Sequence, residues 1–156
     1  MLIWFCLLTC CYGSVWYVSD VPVGSGNGSF SKPFGSLQEA FTNQQFLSDD
    51  VIMLLSDLQS YSSFLTVNTN ISATISSYNN NQFSLNCLSQ NFTAISWQGN
   101  HGQFNFFNVR IANCSQALFS RGSMVAITNC TFIHNVCPSI CVEWIAVFPL
   151  HTWLLT

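Results

Sequence analysis

The amino-acid sequence predicts an all-β fold of the solenoid kind, built from few coils and carrying one short α-helix near its N-terminus. From residue 64 to residue 133 the chain alternates between apolar runs of three to five residues and turns rich in Ser, Asn and Gly. A motif repeats within this region, and a single amphipathic helix precedes it. Strands this short are stable when each coil buries its apolar face on the next coil.

The first 13 residues form an apolar run that ends in small and turn-forming residues. The run is shorter than the roughly 20 apolar residues that cross a bilayer. We interpret residues 1–13 as a secretory signal peptide that is cleaved near Gly13, which leaves Ser14 or Val15 as the first residue of the mature chain. The alternative interpretation is a buried first strand.

The chain has eight cysteines, and the predicted cleavage removes three of them. The remaining number is odd, so these cysteines cannot all pair within one chain, and their pairing is open. No C-x-x-C pair occurs in the sequence, and no histidine pair follows at zinc-finger spacing. We therefore expect no zinc site, no other metal and no cofactor. The remaining cysteines are Cys87, Cys114, Cys130, Cys137 and Cys141.

Five N-x-[S/T] sequons are spread along the chain. Together with the signal peptide they indicate an exported glycoprotein that is secreted or held at the cell surface. The candidate glycosylation sites are Asn27, Asn70, Asn91, Asn113 and Asn129.

A short strand is predicted over residues 15–19, and a Gly/Ser loop connects it to a helix over residues 36–47. Ser36 and Glu39 form an S-x-x-E capping box, in which the two side chains satisfy free backbone N–H groups of the first turn. The apolar residues of this segment fall on one helical face, which we expect to be buried. They are Leu37, Ala40, Phe41 and Leu47.

Residues 51–55 are a wholly apolar run that suits a buried parallel strand. Shorter candidate strands follow as far as residue 133. They lie at residues 64–67, 71–75, 83–85, 92–96, 104–106, 109–111, 117–119, 125–127 and 131–133.

A motif of the form Val-x-Ile-x-Asn-Cys-[Ser/Thr] occurs twice, with a shift of 16 residues, and residues 84–89 contain a fainter third copy. The alternation predicts that Val and Ile face inward, and that each Asn lies at a corner where its amide bonds to an Asn of the next coil. An ordinary Asn-rich turn between unrelated strands is the alternative. The repeated residues are Val109, Ile111, Asn113 and Cys114, then Val125, Ile127, Asn129 and Cys130.

Charged residues make up only 6% of the chain, against roughly 25% in an ordinary soluble domain. The net charge is −3, and the only lysine and arginines are Lys32, Arg110 and Arg121. The chain therefore lacks the basic patch that binds nucleic acid, and we expect no nucleic-acid partner. No Asp, Glu, Lys or Arg lies between Asp57 and Arg110, which argues against acid–base catalysis in the central third.

Taken together, these features resemble the right-handed parallel β-helix group, the pectate-lyase-like fold. The resemblance covers residues 15–135 and depends on the segments WYVSDVPVGSGNGSFSKPFGSLQEAF, DDVIMLL, FNVRIANCSQALF and VAITNCTFIHN. It implies an extracellular protein whose helix covers the apolar end of the first coil. The F-x-x-N segments at 83–86 and 132–135 also resemble the repeats of polymorphic outer membrane proteins, although the companion G-G-A-[ILV] motif is absent.

Residues 136–156 break the repeat and form an apolar tail that we expect to be irregular. Two prolines, Glu143 and His151 make this tail a poor membrane-spanning helix, so a membrane anchor is not expected. The predicted β-helix domain therefore runs from residue 14 to residue 135. We expect the tail to be an incomplete C-terminal end, produced by truncation or mis-splicing of a longer β-helix.

Enzymes of the fold that the chain resembles use clustered Asp residues with an Arg or Lys base, and the repeats here carry no Asp or Glu. Glycoside hydrolysis needs two carboxyl groups separated by roughly 5 to 10 Å. We therefore predict no catalytic residue. The ionisable residues interpreted as turn or surface positions are Asp49, Asp50, Asp57, His101, Arg110, Arg121 and His134.

The predicted function is a structural or binding role at the cell surface or in the extracellular space, with glycans or other proteins as partners. Trp97 stacks on a sugar ring if it is exposed and belongs to the core if it is buried. The alternative is that the chain is the N-terminal portion of a polysaccharide lyase or a glycoside hydrolase.

Overall fold

The structure is a computed structural model that describes seven segments of the chain. The predicted signal peptide, apart from Gly13, lies outside the described residues, as do His101 and most of the predicted tail. For the last described segment only the backbone is considered. The segments are 13–20, 26–60, 62–68, 70–89, 91–99, 102–136 and 140–143.

The described residues contain thirteen strands, one α-helix and one short 3-10 helix, joined by turns and loops. The first part of the chain contains β1 (Val15–Val18), α1 (Leu37–Thr42), β2 (Asp50–Leu54), β3 (Leu58–Ser60), β4 (Leu65–Val67), β5 (Ala73–Ser77), the 3-10 helix (Tyr78–Asn80) and β6 (Phe83–Cys87). The second part contains β7 (Thr93–Gln98), β8 (Gln103–Phe107), β9 (Val109–Ala112), β10 (Gln116–Arg121), β11 (Met124–Thr128), β12 (Thr131–Ile133) and β13 (Ile140–Glu143).

The strands form three sheets in which all neighbouring strands are parallel. The first sheet has the order β1-β2-β5-β8-β11, the second β3-β6-β9-β12 and the third β4-β7-β10-β13. From β2 onward the chain visits the three sheets in the same order, and we call each passage through the three sheets a circuit. The architecture is all-β with parallel sheets and one described α-helix, as predicted, and it is compatible with a parallel β-helix.

The core consists of apolar side chains that occupy matching register positions in successive circuits. Burial of such a side chain contributes about 1.5–3 kcal/mol, so each matched set stabilises the pairing of its sheet. The buried matched sets are Ile52, Ile75, Phe106 and Ile127 in the first sheet, Leu58, Leu85, Ile111 and Phe132 in the second, and Leu65, Ile95 and Leu118 in the third.

The two clear copies of the sequence repeat lie in different sheets. Val109 is in β9 of the second sheet and pairs with Phe83, whereas Val125 is in β11 of the first sheet and pairs with Phe104. Both valines are buried, as are the two isoleucines of the repeat. The shift of 16 residues therefore relates β9 to β11, two strands of different sheets with β10 between them, while stacked strands lie farther apart in sequence.

Asparagine side chains form hydrogen bonds between successive circuits at two corners. The Nδ2 of Asn113 donates to the Oδ1 of Asn86 at 2.7 Å, and the Nδ2 of Asn129 donates to the Oδ1 of Asn108 at 2.9 Å. Asn113 and Asn129 do not bond to each other, because the first follows the second sheet and the other follows the first sheet. The fainter third copy of the motif, which contains Asn86, supplies the partner of Asn113.

The corner asparagines adopt left-handed backbone conformations. The φ angles are 57° at Asn108, 60° at Asn113 and 51° at Asn129, and His134 takes the corresponding position after β12 with a φ of 52°. Asn tolerates this region better than most residues because its short polar side chain bonds locally. Each corner needs a residue that accepts a positive φ, and this requirement explains why Asn recurs where one strand ends and the next begins.

A disulfide between Cys87 and Cys114 connects two circuits directly beside the Asn86–Asn113 hydrogen bond, with a sequence separation of 27. The predicted equivalence of Cys114 and Cys130 is not reproduced, because Cys130 is a free, buried thiol. Burial raises the pKa of the Cys130 thiol, and hydrogen bonds from backbone groups offset this only in part. A thiol with a raised pKa is mostly protonated at neutral pH and is a poor nucleophile.

The helix begins as predicted and ends earlier. The hydroxyl of Ser36 accepts a hydrogen bond from the N–H of Glu39 at 3.1 Å, and the Glu39 carboxylate accepts one from the N–H of Gly35 at 2.9 Å. The helix ends at Thr42, five residues before the predicted end at residue 47. Leu47 is 65% exposed and lies outside the helix, and Phe46 is buried in its place.

The helix packs against β1 and β4, which are the edge strands of the first and third sheets. Leu37 and Ala40 are fully buried. Phe41 is half-buried, and its ring centroid lies 4.5 Å from that of Phe46 and 5.6 Å from that of Trp97. The helix therefore covers apolar side chains at one end of the sheets.

Part of the predicted irregular tail is a strand. Ile140–Glu143 pairs in parallel with β10, with Leu118 opposite Ile140. The segment Ile-Cys-Val carries β-branched residues that favour a strand, and the two prolines of the tail lie outside it. The third sheet therefore continues beyond residue 135.

We expect Leu37→Ala to lower the free energy of unfolding by about 2–5 kcal/mol, because the change leaves a cavity under the helix. Leu47→Ala is the matched control, since the same atoms are removed from an exposed position; it should change stability by no more than about 0.5 kcal/mol. Urea unfolding followed by circular dichroism measures both. Equal losses in the two variants would contradict the described packing of the helix.

At the corner, Asn113→Gly should be more stable than Asn113→Ala by about 1 kcal/mol, because glycine adopts a positive φ without strain. Both variants lose the hydrogen bond to Asn86 and should be less stable than the wild type by about 1 kcal/mol or more. Asn105 in β8 is the control, because glycine inside a strand is unfavourable, and there the order of the two variants should reverse. The same order at both positions in chemical denaturation would contradict this account.

Candidate functional site

A polar groove of about 280 Å³ lies on the outer face of the second sheet. We call it the second-sheet groove. The strands β3, β6, β9 and β12 contribute alternate side chains to it, because successive residues of a strand point to opposite faces. Its lining residues are Asp57, Gln59, Ser84, Asn86, Arg110, Ala112, Asn113, Ile133 and His134.

The strand register places these side chains in two rows across the sheet. In one row Gln59 lies opposite Asn86, which lies opposite Ala112, and Ile133 follows on β12. The row therefore changes from polar to apolar across the four strands. In the adjacent row Arg110 lies between Ser84 and Thr131.

The hydrogen bonds within the groove fix some of these groups and leave others available. The Oδ1 of Asp57 accepts a hydrogen bond from the backbone N–H of Ser84 at 2.6 Å, and Asn86 accepts one from Asn113. The Nε of Arg110 is buried and has no hydrogen-bond partner among the described residues. This Nε is closed off from the groove, so Arg110 contributes to the lining through other atoms of its side chain.

A second hollow, of about 290 Å³, lies between the helix and the loop that joins β3 to β4. It shares Gln59 with the second-sheet groove, so the two depressions meet at that residue. Hydroxyl and amide side chains dominate its lining, with Asp20 and Gln38 at its edge. The polar surface therefore extends from β12 past β3 to the helix.

The lining of the second-sheet groove contains one carboxylate, one guanidinium and one imidazole, those of Asp57, Arg110 and His134. A second carboxylate, which glycoside hydrolysis requires, does not line it. In the described part of the chain no cluster of His, Cys, Asp and Glu has the arrangement of a metal site. The lining also carries the amides of Gln59, Asn86 and Asn113 and the hydroxyl of Ser84, which donate and accept hydrogen bonds.

The other ionisable candidates lie elsewhere. Arg121 is exposed at the end of β10, and Asp49 is exposed in the turn before β2, where its φ is 72°. Asp50 is different from its neighbour, because it is 1% exposed and its carboxylate is hydrogen-bonded within the structure. The interpretation of Asp50 as a turn residue is therefore corrected: it is a buried residue of β2.

Aromatic residues are found both in the core and on the surface. Trp97 is fully buried and stacks on Phe104 with a centroid distance of 4.1 Å, so it belongs to the core and not to a sugar-stacking surface. An aromatic group at the surface is formed by the half-buried Tyr17 and Tyr78 and the exposed Phe30, whose ring centroid lies 5.3 Å from that of Tyr17 and 5.4 Å from that of Tyr78. Phe30 is 55% exposed and lies beside the first sheet, away from the groove.

The sequence pattern did not identify Gln59 and Ser84 as site residues. Gln59 is in a strand that carries only one apolar side chain, and periodicity alone gives no signal for it. Ser84 and Arg110 are 26 positions apart, and only the pairing of β6 with β9 brings them together. The single useful signal was Asn86, through its place in the faint third copy of the repeat.

The five sequon asparagines differ in accessibility. Asn27, Asn70 and Asn91 are exposed, and Asn129 is exposed while its amide bonds to Asn108. Asn113 is half-buried, bonds to Asn86 and lines the groove. Room for a glycan is therefore greatest at the first three positions and smallest at Asn113.

Comparisons of the chain with protein family models, with curated proteins and with solved structures gave no match. Across the described residues, no helix has the length and the apolar character that crossing a membrane requires.

If the chain is exported through a glycosylating pathway, we expect glycans on Asn27 and Asn91 and none on Asn113, whose side chain is enclosed by the corner. Mass spectrometry of peptides from secreted material, after enzymatic removal of the glycans, identifies the modified positions. The same spectra give the first residue of the mature chain, which should be Ser14 or Val15. A folded, soluble protein with full occupancy at Asn113 would contradict the described corner.

Proposed function

We propose that this chain is an exported, right-handed parallel β-helix protein that binds extracellular glycans through the second-sheet groove. The observation that carries the proposal is the presence of Gln59, Asn86 and Arg110 on neighbouring parallel strands, facing one groove. The protein holds its ligand and has no catalytic activity.

The β-helix part of the proposal draws on the order in which the strands are used. Each sheet receives every third strand from β2 onward, and all pairs are parallel. Parallel strands of one sheet are joined by crossovers, and such crossovers are right-handed in about 98% of cases. A chain that repeats one crossover in the same sense winds into a right-handed solenoid, which buries a common interior.

Export is supported by the disulfide and by the sequence features of the N-terminal region. Disulfides persist in oxidising compartments outside the cytosol, and Cys87 and Cys114 form one here. Residues 1–13 have the length and apolar character of a signal peptide, and the sequons at Asn27 and Asn91 lie on accessible surface. Secretion and display on the cell surface both agree with these features.

The groove chemistry favours a glycan. Sugar hydroxyls both donate and accept hydrogen bonds, and the amides of Gln59 and Asn86 do the same. Arg110 adds a cation to the lining, and a guanidinium binds a carboxylate through two parallel hydrogen bonds. An oligosaccharide that contains uronic acids satisfies both kinds of group.

Two alternatives remain distinct from this proposal. One is a protein ligand at the cell surface. The other is that the chain is the N-terminal portion of a polysaccharide lyase or glycoside hydrolase, and the observation in its favour is that Asp57, Arg110 and His134 line the same groove.

We expect oligosaccharides of uronic acid to bind more tightly than neutral oligosaccharides of the same length, as measured by isothermal titration calorimetry. Arg110→Ala should weaken binding of the acidic ligand about tenfold or more, because a charge-assisted hydrogen bond contributes roughly 1.5–3 kcal/mol. Gln59→Ala should weaken binding of both ligand classes.

Arg121→Ala is the control, since it removes the same charge from a site outside the groove and should leave the affinity unchanged. Phe30→Ala tests the aromatic group at the surface. A loss of binding in that variant alone would show that the ligand binds beside the first sheet and not in the groove. No shortening of the oligosaccharide should occur on long incubation. Cleavage that Asp57→Asn abolishes would instead favour the enzyme alternative, and no binding to either sugar class would overturn the proposal.

A further inference from the structure

Asp50 is a buried carboxylate at the start of β2, and no role in the second-sheet groove accounts for it. It accepts hydrogen bonds from the backbone N–H of Ser14 at 2.6 Å, from the indole Nε1 of Trp16 at 2.7 Å and from the backbone N–H of Leu47 at 2.9 Å. The carboxylate therefore joins the beginning of β1 to the segment that follows the helix.

These three donors are uncharged. Burial removes the hydration of a carboxylate, which costs several kcal/mol, and the three N–H groups replace that hydration with hydrogen bonds but supply no opposite charge. A cation at hydrogen-bond distance offsets much more of it, because a charge-assisted hydrogen bond is roughly twice as strong as a neutral one. A positive charge on the Ser14 nitrogen would lie at hydrogen-bond distance from this carboxylate and would stabilise it.

We propose that cleavage between Gly13 and Ser14 places the new α-ammonium group of Ser14 on the carboxylate of Asp50. The folded protein then contains a built-in site for its own processed N-terminus. The inference depends on the export part of the proposed function, which supplies the cleavage. It adds that cleavage two residues earlier or one residue later gives a less stable protein.

The chemistry of the step is ordinary peptide hydrolysis by the peptidase of the export pathway. The C–N bond between Gly13 and Ser14 breaks, water supplies the oxygen of the new Gly13 carboxylate, and the Ser14 nitrogen keeps its hydrogen and gains protons to become an ammonium group. No oxidant or reductant is needed. Cleavage during export acts on the chain before it folds, so the later burial of Asp50 does not prevent it.

The surroundings of Gly13 agree with an ammonium at Ser14. A Cβ atom at position 13 would lie 2.0 Å from the backbone oxygen of Asp49, so the chain passes very close to that carbonyl. Removal of Gly13 frees the space beside this oxygen, directly before the Ser14 nitrogen in the chain. The small side chain of Gly13 also suits the residue before a signal-peptide cleavage site.

The test compares three chains that end at the same residue and begin at Tyr12, Ser14 or Val15, each released from a fusion by a specific protease. The chain that begins at Ser14 should have a midpoint of thermal unfolding higher than both others by about 3–6 °C, as expected for an added ion pair in a chain of this size. In Asp50→Asn versions of the Tyr12 and Ser14 chains this difference should disappear.

Amine reactivity gives a second measurement on the wild-type chain, in case Asp50→Asn does not fold. Lys32 is the only lysine and is exposed, so it serves as an internal control. An unpaired α-amine has the lower pKa of the two amines and reacts faster at neutral pH. Limited reductive methylation followed by peptide mass spectrometry should show Ser14 reacting more slowly than Lys32 in the folded chain, and faster in the unfolded chain.

Equal unfolding midpoints for the Tyr12 and Ser14 chains, or a Ser14 amine that reacts as fast in the folded chain as in the unfolded one, would overturn the inference. A mature chain that begins at a residue other than Ser14 would overturn its cleavage site. None of these results tests glycan binding, because Asp50 is on the first sheet and the groove is on the second.

Discussion

Parallel pairing between strands of successive circuits is the constraint on which the rest of the structure depends. Each strand must meet a partner more than twenty residues away in sequence, and local contacts alone cannot hold it there. Matched apolar side chains such as Ile52, Ile75 and Phe106 stabilise the correct pairing, because a shift of the register by one residue would turn them away from the core. The outer faces are consequently free to vary, and the groove is built on one of them.

The corners make this pairing possible with circuits of unequal length. Leu85 lies 26 positions before its partner Ile111, while Ile111 lies 21 positions before Phe132. Extra residues are accommodated where the chain reverses, and a left-handed Asn at the exit of a strand restores the register of the next one. The disulfide and the amide hydrogen bonds then join circuits at the points where the backbone is most exposed to fraying.

The sequence predicted the strands better than it predicted their partners. Short apolar runs such as 104–106 and 125–127 have a local signal, since alternation and β-branched residues are visible in a few positions, and both runs are strands. The stacking partner of a strand depends on the length of the corners between, and no local pattern encodes it. For this reason the repeat suggested that Asn113 and Asn129 belong to one ladder, whereas they belong to two. The helix end shows the same limit, because Phe46 and Leu47 are equally apolar and only tertiary packing selects Phe46 for burial.

The same constraint holds the strands that line the second-sheet groove in fixed positions. Gln59 and Arg110 are on strands whose inward-facing residues are packed in the core. The backbone at these two residues is therefore already ordered without a ligand. The Asn86–Asn113 hydrogen bond and the neighbouring disulfide hold one wall of the groove. If the proposed glycan binds here, the protein side of the interface loses little conformational entropy, because its backbone is already ordered. In this chain, which has very few ionisable residues, the spacing of the strands sets where the polar groups of the groove lie relative to one another.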